Sequence, residues 1–161
     1  MSFTKSSLRL SIIFILICIS SSSIICQDLK STLFGETNKA MEQANKINAS
    51  VLSPGNYEQA MEYYRNAEND YASGYSLEEI RETLQSANNF FYKSIEVTRL
   101  AEVTFTQLIA ARNDAKDARS TEFALELWNE AEEKFRDATA ELENGDISYA
   151  KEYSKEAEAL F

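Results

Sequence analysis

The sequence predicts an all-α protein, an elongated antiparallel bundle of helical hairpins built from two tandem repeats and joined by one long central helix. Three observations favour this fold. Four Gly and one Pro in 161 residues are few, and a chain poor in these two residues enters helices at little cost. Apolar residues recur every three or four positions, without strand-like alternation. The phrase EQAMEYYRNAE at residues 58–68 returns as EFALELWNEAE at residues 122–132.

The first 26 residues are laid out like a secretory signal peptide. Lys5 and Arg9 precede an apolar run of about ten residues, and a serine cluster follows. That run is shorter than the roughly 20 residues that a membrane-spanning helix needs. Three kinds of processing fit the segment: cleavage after Ser23, cleavage after Cys26, or cleavage before Cys26 with a lipid attached to that cysteine.

The first hairpin begins after this segment. A helix is expected over residues 36–50, and a break follows, because Pro54 cannot continue a helix. Pro54 suits the first turn of the next helix, where Ser53 is expected to cap the backbone N–H groups. The Gly74 that follows is expected to end that helix.

The central helix is predicted to start at Ser76, where Ser76 and Glu79 have the spacing of a capping box. No breaking residue occurs until about Ser120, so the helix is expected to run unbroken to that point. Its apolar residues alternate spacings of three and four, which is typical of a helix packed along partners in a bundle. Leu84 lies on this apolar stripe and is expected to be buried.

The second hairpin is expected to repeat the first, with Glu122 in the place of Glu58 and Trp128 in the place of Tyr64. Ser120 or Thr121 is expected to cap its first helix, two turns longer than its counterpart, and Gly145 to end it. The expected apolar stripe comprises Ala124, Leu127, Ala131, Phe135, Ala138 and Leu142, of which Ala131 and Phe135 are predicted to be buried. The predicted organisation is a signal segment at 1–26 and a bundle at 27–161, with hairpins at 37–100 and 101–161.

The first hairpin resembles an uncharacterised bacterial cell-envelope family whose tetratricopeptide-like hairpins carry Ala-Pro-x-x-Tyr-x-x-Ala. The residues that carry the resemblance are Ser53, Pro54, Tyr57, Ala60, Tyr64 and Ala67. The second hairpin departs from the motif, since it has no proline and Thr121 stands where the tyrosine is expected. Members of the family are often exported lipoproteins, so the resemblance implies a periplasmic or outer-membrane-associated protein.

The composition argues against several kinds of chemistry. The chain has no histidine, which removes the commonest general base and many metal sites, and both cysteines lie in the first 26 residues. The segment around Gly145 looks like a calcium loop, but Lys151 stands where the closing Glu is required. A net charge of −10 repels phosphate backbones, so nucleic acid is not an expected partner. The sequence predicts no enzyme, no cofactor and no metal site.

The aromatic residues are the remaining feature. They either fill the seam of a thin, alanine-rich bundle or line a groove for a partner, and the candidate partner-binding seam comprises Tyr64, Phe105, Leu108 and Trp128. Two functions fit. The first is a non-catalytic, exported interaction or structural module that binds an envelope protein or a second copy of itself. The second is a carrier of a small apolar ligand held between the hairpins. Membrane attachment is expected only through a lipid on Cys26.

Overall fold

A computed structural model describes residues 29–161 of the chain. The signal segment and its candidate lipid-bearing Cys26 lie outside the described residues. The chain divides into two compact units: the first ends at Glu36, and the second comprises Thr37–Phe161. Both predicted hairpins fall in the second unit.

The described residues form helices joined by short turns, with no strand among them, which confirms the all-α prediction. In chain order the helices are α1 (29–46), α2 (Ala49–Leu52), α3 (Pro54–Ser73), α4 (Leu77–Thr104), α5 (Thr106–Asp117), α6 (Ser120–Phe123), α7 (Leu125–Asn144) and α8 (Ile147–Leu160). Two hairpins dominate the packing, since α3 pairs with α4 and α7 pairs with α8. Short turns join the helices of each pair, so both hairpins are antiparallel.

Each hairpin has its own apolar cluster. The first is formed by Ala40, Ala44, Ala49, Ala60, Ala87, Phe91 and Ile95. The second is formed by Leu52, Ala101, Phe105, Leu108, Phe135, Ala138, Leu142, Ala150 and Ala157. Helix α4 contributes to both clusters, because Ala87, Phe91 and Ile95 belong to the first and Ala101 belongs to the second. This helix is therefore the joint between the hairpins.

The predicted helix ends within the hairpins are confirmed. Ser76 and Glu79 form the capping box: each backbone N–H donates to the other residue's side chain at 3.3 Å. Gly74 and Gly145 end α3 and α7 with φ angles of 77° and 86°, in the left-handed region that a side chain disfavours.

The prediction of an unbroken central helix was wrong, because the helix is divided at Phe105 and α5 ends at Asp117. Phe105 has φ −112° and ψ 26°, outside the helical region. The Thr106 hydroxyl donates to the backbone carbonyls of Glu102 and Val103 at 2.8 and 3.2 Å. A threonine that bonds back onto its own helix in this way bends it, and the bend accompanies burial of the Phe105 ring.

The predicted register of the first helix in each hairpin was also wrong. The two helices that begin the hairpins, α3 and α7, have the same length of 20 residues, so the second is not two turns longer. A residue in the left-handed region precedes a four-residue helix in both copies, at Asn48 and at Arg119. Equivalent positions are therefore Gly74 and Gly145. The alignment of the two repeats was displaced by seven residues in this helix, because an alanine-spaced stripe has the same pattern after one heptad.

The aromatic pairs show the same equivalence. The rings of Tyr57 and Phe91 meet edge to face with centroids 5.8 Å apart, and those of Trp128 and Phe161 do so at 5.2 Å. Trp128 thus occupies the place of Tyr57, and not that of Tyr64 as the sequence comparison predicted. Thr121 is likewise not the counterpart of the motif tyrosine, since it lies in α6. Each hairpin has one edge-to-face pair of this kind between its two helices, and the first hairpin also has Tyr63 stacked on Phe90 with centroids 5.6 Å apart.

The burial of three core residues agrees with expectation, since Leu84, Ala131 and Phe135 are all buried. Two members of the predicted second stripe, Ala124 and Leu127, are exposed instead. The reason is that α7 begins only at Leu125, after a break in the chain at Ala124 where φ is −141°. The first turn of α7 therefore carries apolar residues that the hairpin itself does not cover.

Candidate interaction surface

A carboxylate from the second hairpin caps a helix of the first. Glu143, near the end of α7, accepts hydrogen bonds from the backbone N–H groups of Gly55 and Asn56 at 3.1 and 2.8 Å. The Ser53 hydroxyl donates to the same carboxylate at 2.5 Å, and the Asn56 amide donates at 2.8 Å. Ser53 stands at the predicted capping position, but its side chain accepts no backbone N–H there. Glu143 takes over that function across the hairpins.

The geometry of this contact depends on Gly55, which has no side chain. A Cβ atom at Gly55 would lie 2.6 Å from Oε2 of Glu143, which is too close for two non-bonded atoms. Glycine therefore lets the carboxylate approach the exposed N–H groups at the start of α3. A negative charge there also interacts favourably with the helix dipole. We call residues 52–56, which α7 covers in this way, the first corner.

The first corner is sealed. Ser53 and Asn56 are buried, and Leu52, 7 % exposed, packs into the apolar cluster of the second hairpin. Leu142 belongs to that same cluster, one residue before Glu143. The buried side chain of Leu52 and the hydrogen bonds to Glu143 therefore lie side by side where the second hairpin covers the first.

The equivalent segment of the second hairpin, residues 123–127, is open, and we call it the second corner. Phe123 takes the place of Leu52, Ala124 that of Ser53, and Leu127 that of Asn56. The exposed fractions are 76 % for Phe123, 54 % for Leu125 and 48 % for Leu127. A surface cavity of about 650 Å³ lies here, lined by Glu122, Phe123, Ala124, Leu125, Glu126, Leu127 and Glu130. Three large apolar side chains thus face solvent at one site.

Of the predicted partner-binding seam, Phe105 and Leu108 lie in the core, each 1 % exposed. Both belong to the cluster that α8 covers with Ala150 and Ala157. Neither side chain is therefore accessible to a partner.

The two aromatic members of the seam are partly buried and do not lie together. The hydroxyl of Tyr64 donates to Oδ1 of Asn38 at 2.9 Å in the first hairpin. Trp128 packs on Phe161 in the second, with the Arg112 guanidinium 5.8 Å from its ring centre. The four predicted residues therefore do not form one accessible surface.

Arg112 links α5 to α7 by an ion pair. Its Nε donates to Oε1 of Glu132 at 2.5 Å and its Nη2 to Oε2 at 3.2 Å, with both side chains about a quarter exposed. The guanidinium also lies 5.1 Å from the ring centre of Phe135. The equivalent positions in the first hairpin are Met41 and Met61, which pack against its apolar cluster. An ion pair in one copy thus replaces an apolar pair in the other.

Sequence reasoning missed the second corner, although a signal was present. The segment FALEL at residues 123–127 places Phe123, Leu125 and Leu127 at alternate positions. Residues two apart on a helix do not share a face, so one helix could not bury all three. This excess of apolar residues marks a turn that needs a cover from elsewhere.

The fold and this surface define an all-α protein of two packed helical hairpins with one sealed and one open corner. Comparison of the chain with protein-family models, with curated proteins and with solved structures finds no significant match. Within residues 29–161, no helix is both long enough and apolar enough to cross a bilayer. The same residues hold no group of three or more acidic, histidine or cysteine side chains placed to bind a metal ion.

Proposed function

We propose that the protein is an exported, non-catalytic interaction module that binds another polypeptide chain at its second corner. The observation that carries this proposal is the difference between equivalent corners. Leu52 is inserted into a neighbouring hairpin, whereas Phe123 at the same place in the repeat is 76 % exposed. Exposed apolar clusters of this kind are typical of surfaces that bind other proteins.

The charge around the surface supports a protein partner. Glu122, Glu126 and Glu130 line the cavity together with the apolar side chains. An apolar centre with a charged rim is the usual composition of a protein interface. Glu122 is paired with Arg119, whose guanidinium also lies 5.2 Å from the ring centre of Phe123.

Export is supported by the sequence of residues 1–26, which has the basic start, apolar run and serine cluster of a signal peptide. We expect the native protein to begin between Ser23 and Gln27. Its intact mass distinguishes the cleavage sites, and a diacylglyceryl group on Cys26 would place the protein on a membrane surface. Retention of Met1 would contradict export.

The alternative, a carrier for an apolar ligand, has weaker support. A cleft of about 290 Å³ lies where the central helix is divided at Phe105, bordered by α8. Its lining includes Lys151, Lys155 and Glu158, whereas an apolar ligand needs a mostly apolar enclosure. Binding of a hydrophobic dye that raises the melting temperature would favour the carrier.

Site-specific photo-cross-linking in the native cells tests the proposal. A photoreactive residue at Leu125 should form a discrete adduct with a polypeptide. The matched control is Glu133, which is exposed on the same helix but away from the corner. Equal labelling at both positions, or none at Leu125, would contradict the proposed function.

A further inference from the structure

We infer that the partner of the second corner is a second copy of this chain, whose first hairpin covers the corner as the second hairpin covers the first corner within one molecule. The inference rests on the proposed function and names its partner. It is carried by the observation that both halves of the internal contact have counterparts in the other repeat, and that the second corner and residues 72–79 are exposed.

The receiving half is the second corner. In the internal contact, Leu52 enters the apolar cluster of the second hairpin. Its counterpart Phe123 is larger and just as apolar, and it is exposed beside Leu125 and Leu127. The same backbone precedes the helix at both corners, since φ is −146° at Ser53 and −141° at Ala124. The second corner therefore has the shape of a site that a hairpin already occupies once in this fold.

The covering half is the end of α3. Within the molecule, Leu142 and Glu143 of α7 cover the first corner. Their counterparts on the first hairpin are Tyr71, which is half-buried, and Ala72, which is exposed. Residues 72–79 are all exposed, and they include the large apolar side chains of Tyr75 and Leu77. Residues 72–79 are thus exposed and can cover a corner of another molecule.

The corner and the helix end that covers it are both polar in the internal contact and both apolar in the inferred one. At the first corner, a carboxylate on Glu143 meets the polar groups of Ser53 and Asn56. In the inferred contact, Ala72 replaces the carboxylate, while Ala124 and Leu127 replace the hydroxyl and the amide. A carboxylate facing Ala124 and Leu127 would be buried without hydrogen-bond partners. A hydroxyl and an amide like those of the first corner would likewise lack partners if they faced Ala72. An apolar match on both sides avoids both penalties.

Such a contact joins unlike surfaces of two identical chains. It leaves one second corner and one α3 end free in every dimer, so growth continues until a ring closes or a filament forms. The chain carries a net charge of −10, and Glu122, Glu126 and Glu130 surround the corner. Salt screens this repulsion, so self-association should strengthen as the salt concentration rises.

Analytical ultracentrifugation of the processed chain, over a wide range of protein concentration and at low and high salt, tests the inference. The wild-type chain should associate, and more so at high salt. Phe123→Glu and Ala72→Glu should each abolish association. Both positions are exposed, so helical content by circular dichroism should stay unchanged and confirm that the variants fold.

A rescue experiment checks the register. A chain with Ala124→Ser, Glu126→Gly and Leu127→Asn copies the polar groups of the first corner. Adding Ala72→Glu, which copies Glu143, to this same chain should restore the association that each set of changes alone has lost, because every contact then pairs the carboxylate with the polar corner. Glu133→Ala, a change outside both halves, serves as the control and should associate like the wild-type chain.

A wild-type chain that stays monomeric under all conditions overturns the inference, as does association that survives either blocking variant or a matched pair that fails to restore it. These results differ from failure of the proposed function. If the chain is monomeric but the Leu125 probe still captures another polypeptide, the interaction module stands and only the identity of its partner is wrong.

Discussion

Glu143 accepts two hydrogen bonds from Asn56, one from the backbone N–H and one from the side-chain amide, both at 2.8 Å and across 87 residues of sequence. The contact joins the end of α7 to the start of α3. It satisfies N–H groups that a helix start leaves without internal partners. The packing of one hairpin on the other therefore depends on a helix cap supplied from a distance.

Replacement of Glu143 by Ala should remove this cap. We expect a loss of about 2 kcal/mol in the free energy of unfolding, because hydrogen bonds to a charged group contribute more than neutral ones. Urea titration of the full chain measures the change. Glu133→Ala is the matched control, since Glu133 is an exposed carboxylate on the same helix; equal losses in the two variants would show that Glu143 does not cap α3.

Gly55→Ala should have opposite effects in two backgrounds. In the wild-type chain the added Cβ would push the carboxylate of Glu143 away and lower the melting temperature, because only 2.6 Å separates them. In the Glu143→Ala background the obstacle is gone, and alanine should raise the melting temperature through its helix propensity, worth up to about 1 kcal/mol. The same sign in both backgrounds would refute the proposed close approach.

Thr98→Val should leave stability unchanged or raise it by about 1 kcal/mol, because the buried Thr98 hydroxyl has no hydrogen-bond partner among residues 29–161. Thr139 provides the comparison: it is equally buried, but its hydroxyl donates to the carbonyl of Arg136 at 2.9 Å. Thr139→Val should therefore be the less favourable change. Thermal melts of the two variants measure the difference. A higher melting temperature for Thr139→Val than for Thr98→Val would contradict the assignment of a hydrogen bond to the Thr139 hydroxyl alone.

Arg112→Met and Glu132→Met should each destabilise the protein by about 1 to 3 kcal/mol, since each leaves a charge that is only about a quarter exposed without its partner. The double variant should recover most of the loss, because methionines occupy both equivalent positions, Met41 and Met61, in the first hairpin. A double-mutant cycle in urea measures the coupling. Additive losses would mean that the ion pair makes no joint contribution.

The hydrogen bond to Glu156 raises the pKa of Lys134 above its ordinary value of 10.5. The folded state therefore favours the charged ammonium, and its contribution to stability is present below pH 10.5 and lost as the pH rises through the folded-state pKa. We expect Glu156→Gln to lower the melting temperature at neutral pH and to have a smaller effect once the pH exceeds the raised folded-state pKa of Lys134. The control, Glu152→Gln, changes an exposed carboxylate on the same helix. A pH-independent difference would contradict the linkage.

Features with local causes were predicted well from the sequence. The capping box of Ser76 and Glu79 and the stops at Gly74 and Gly145 need only a few neighbouring residues. The burial of Leu84 and Phe135 follows from periodicity within one helix. The all-α class is the sum of such local preferences.

The repeat register and the candidate surface could not be predicted in this way. An alanine-spaced stripe allows several registers that differ by a heptad, and the equal lengths of α3 and α7 together with the matching aromatic pairs separate them. The burial of Phe105 depends on where α8 packs. Equivalent apolar residues, Leu52 and Phe123, have opposite exposure because only one of them has a hairpin beside it.

The sequence by itself determined the helices, their stops and most core positions, because periodicity and turn chemistry act over a few residues. The tertiary structure alone decided which corner is sealed and which is open. That choice depends on contacts between segments far apart in the chain, such as Asn56 and Glu143, whose pairing leaves no periodic signal in the sequence.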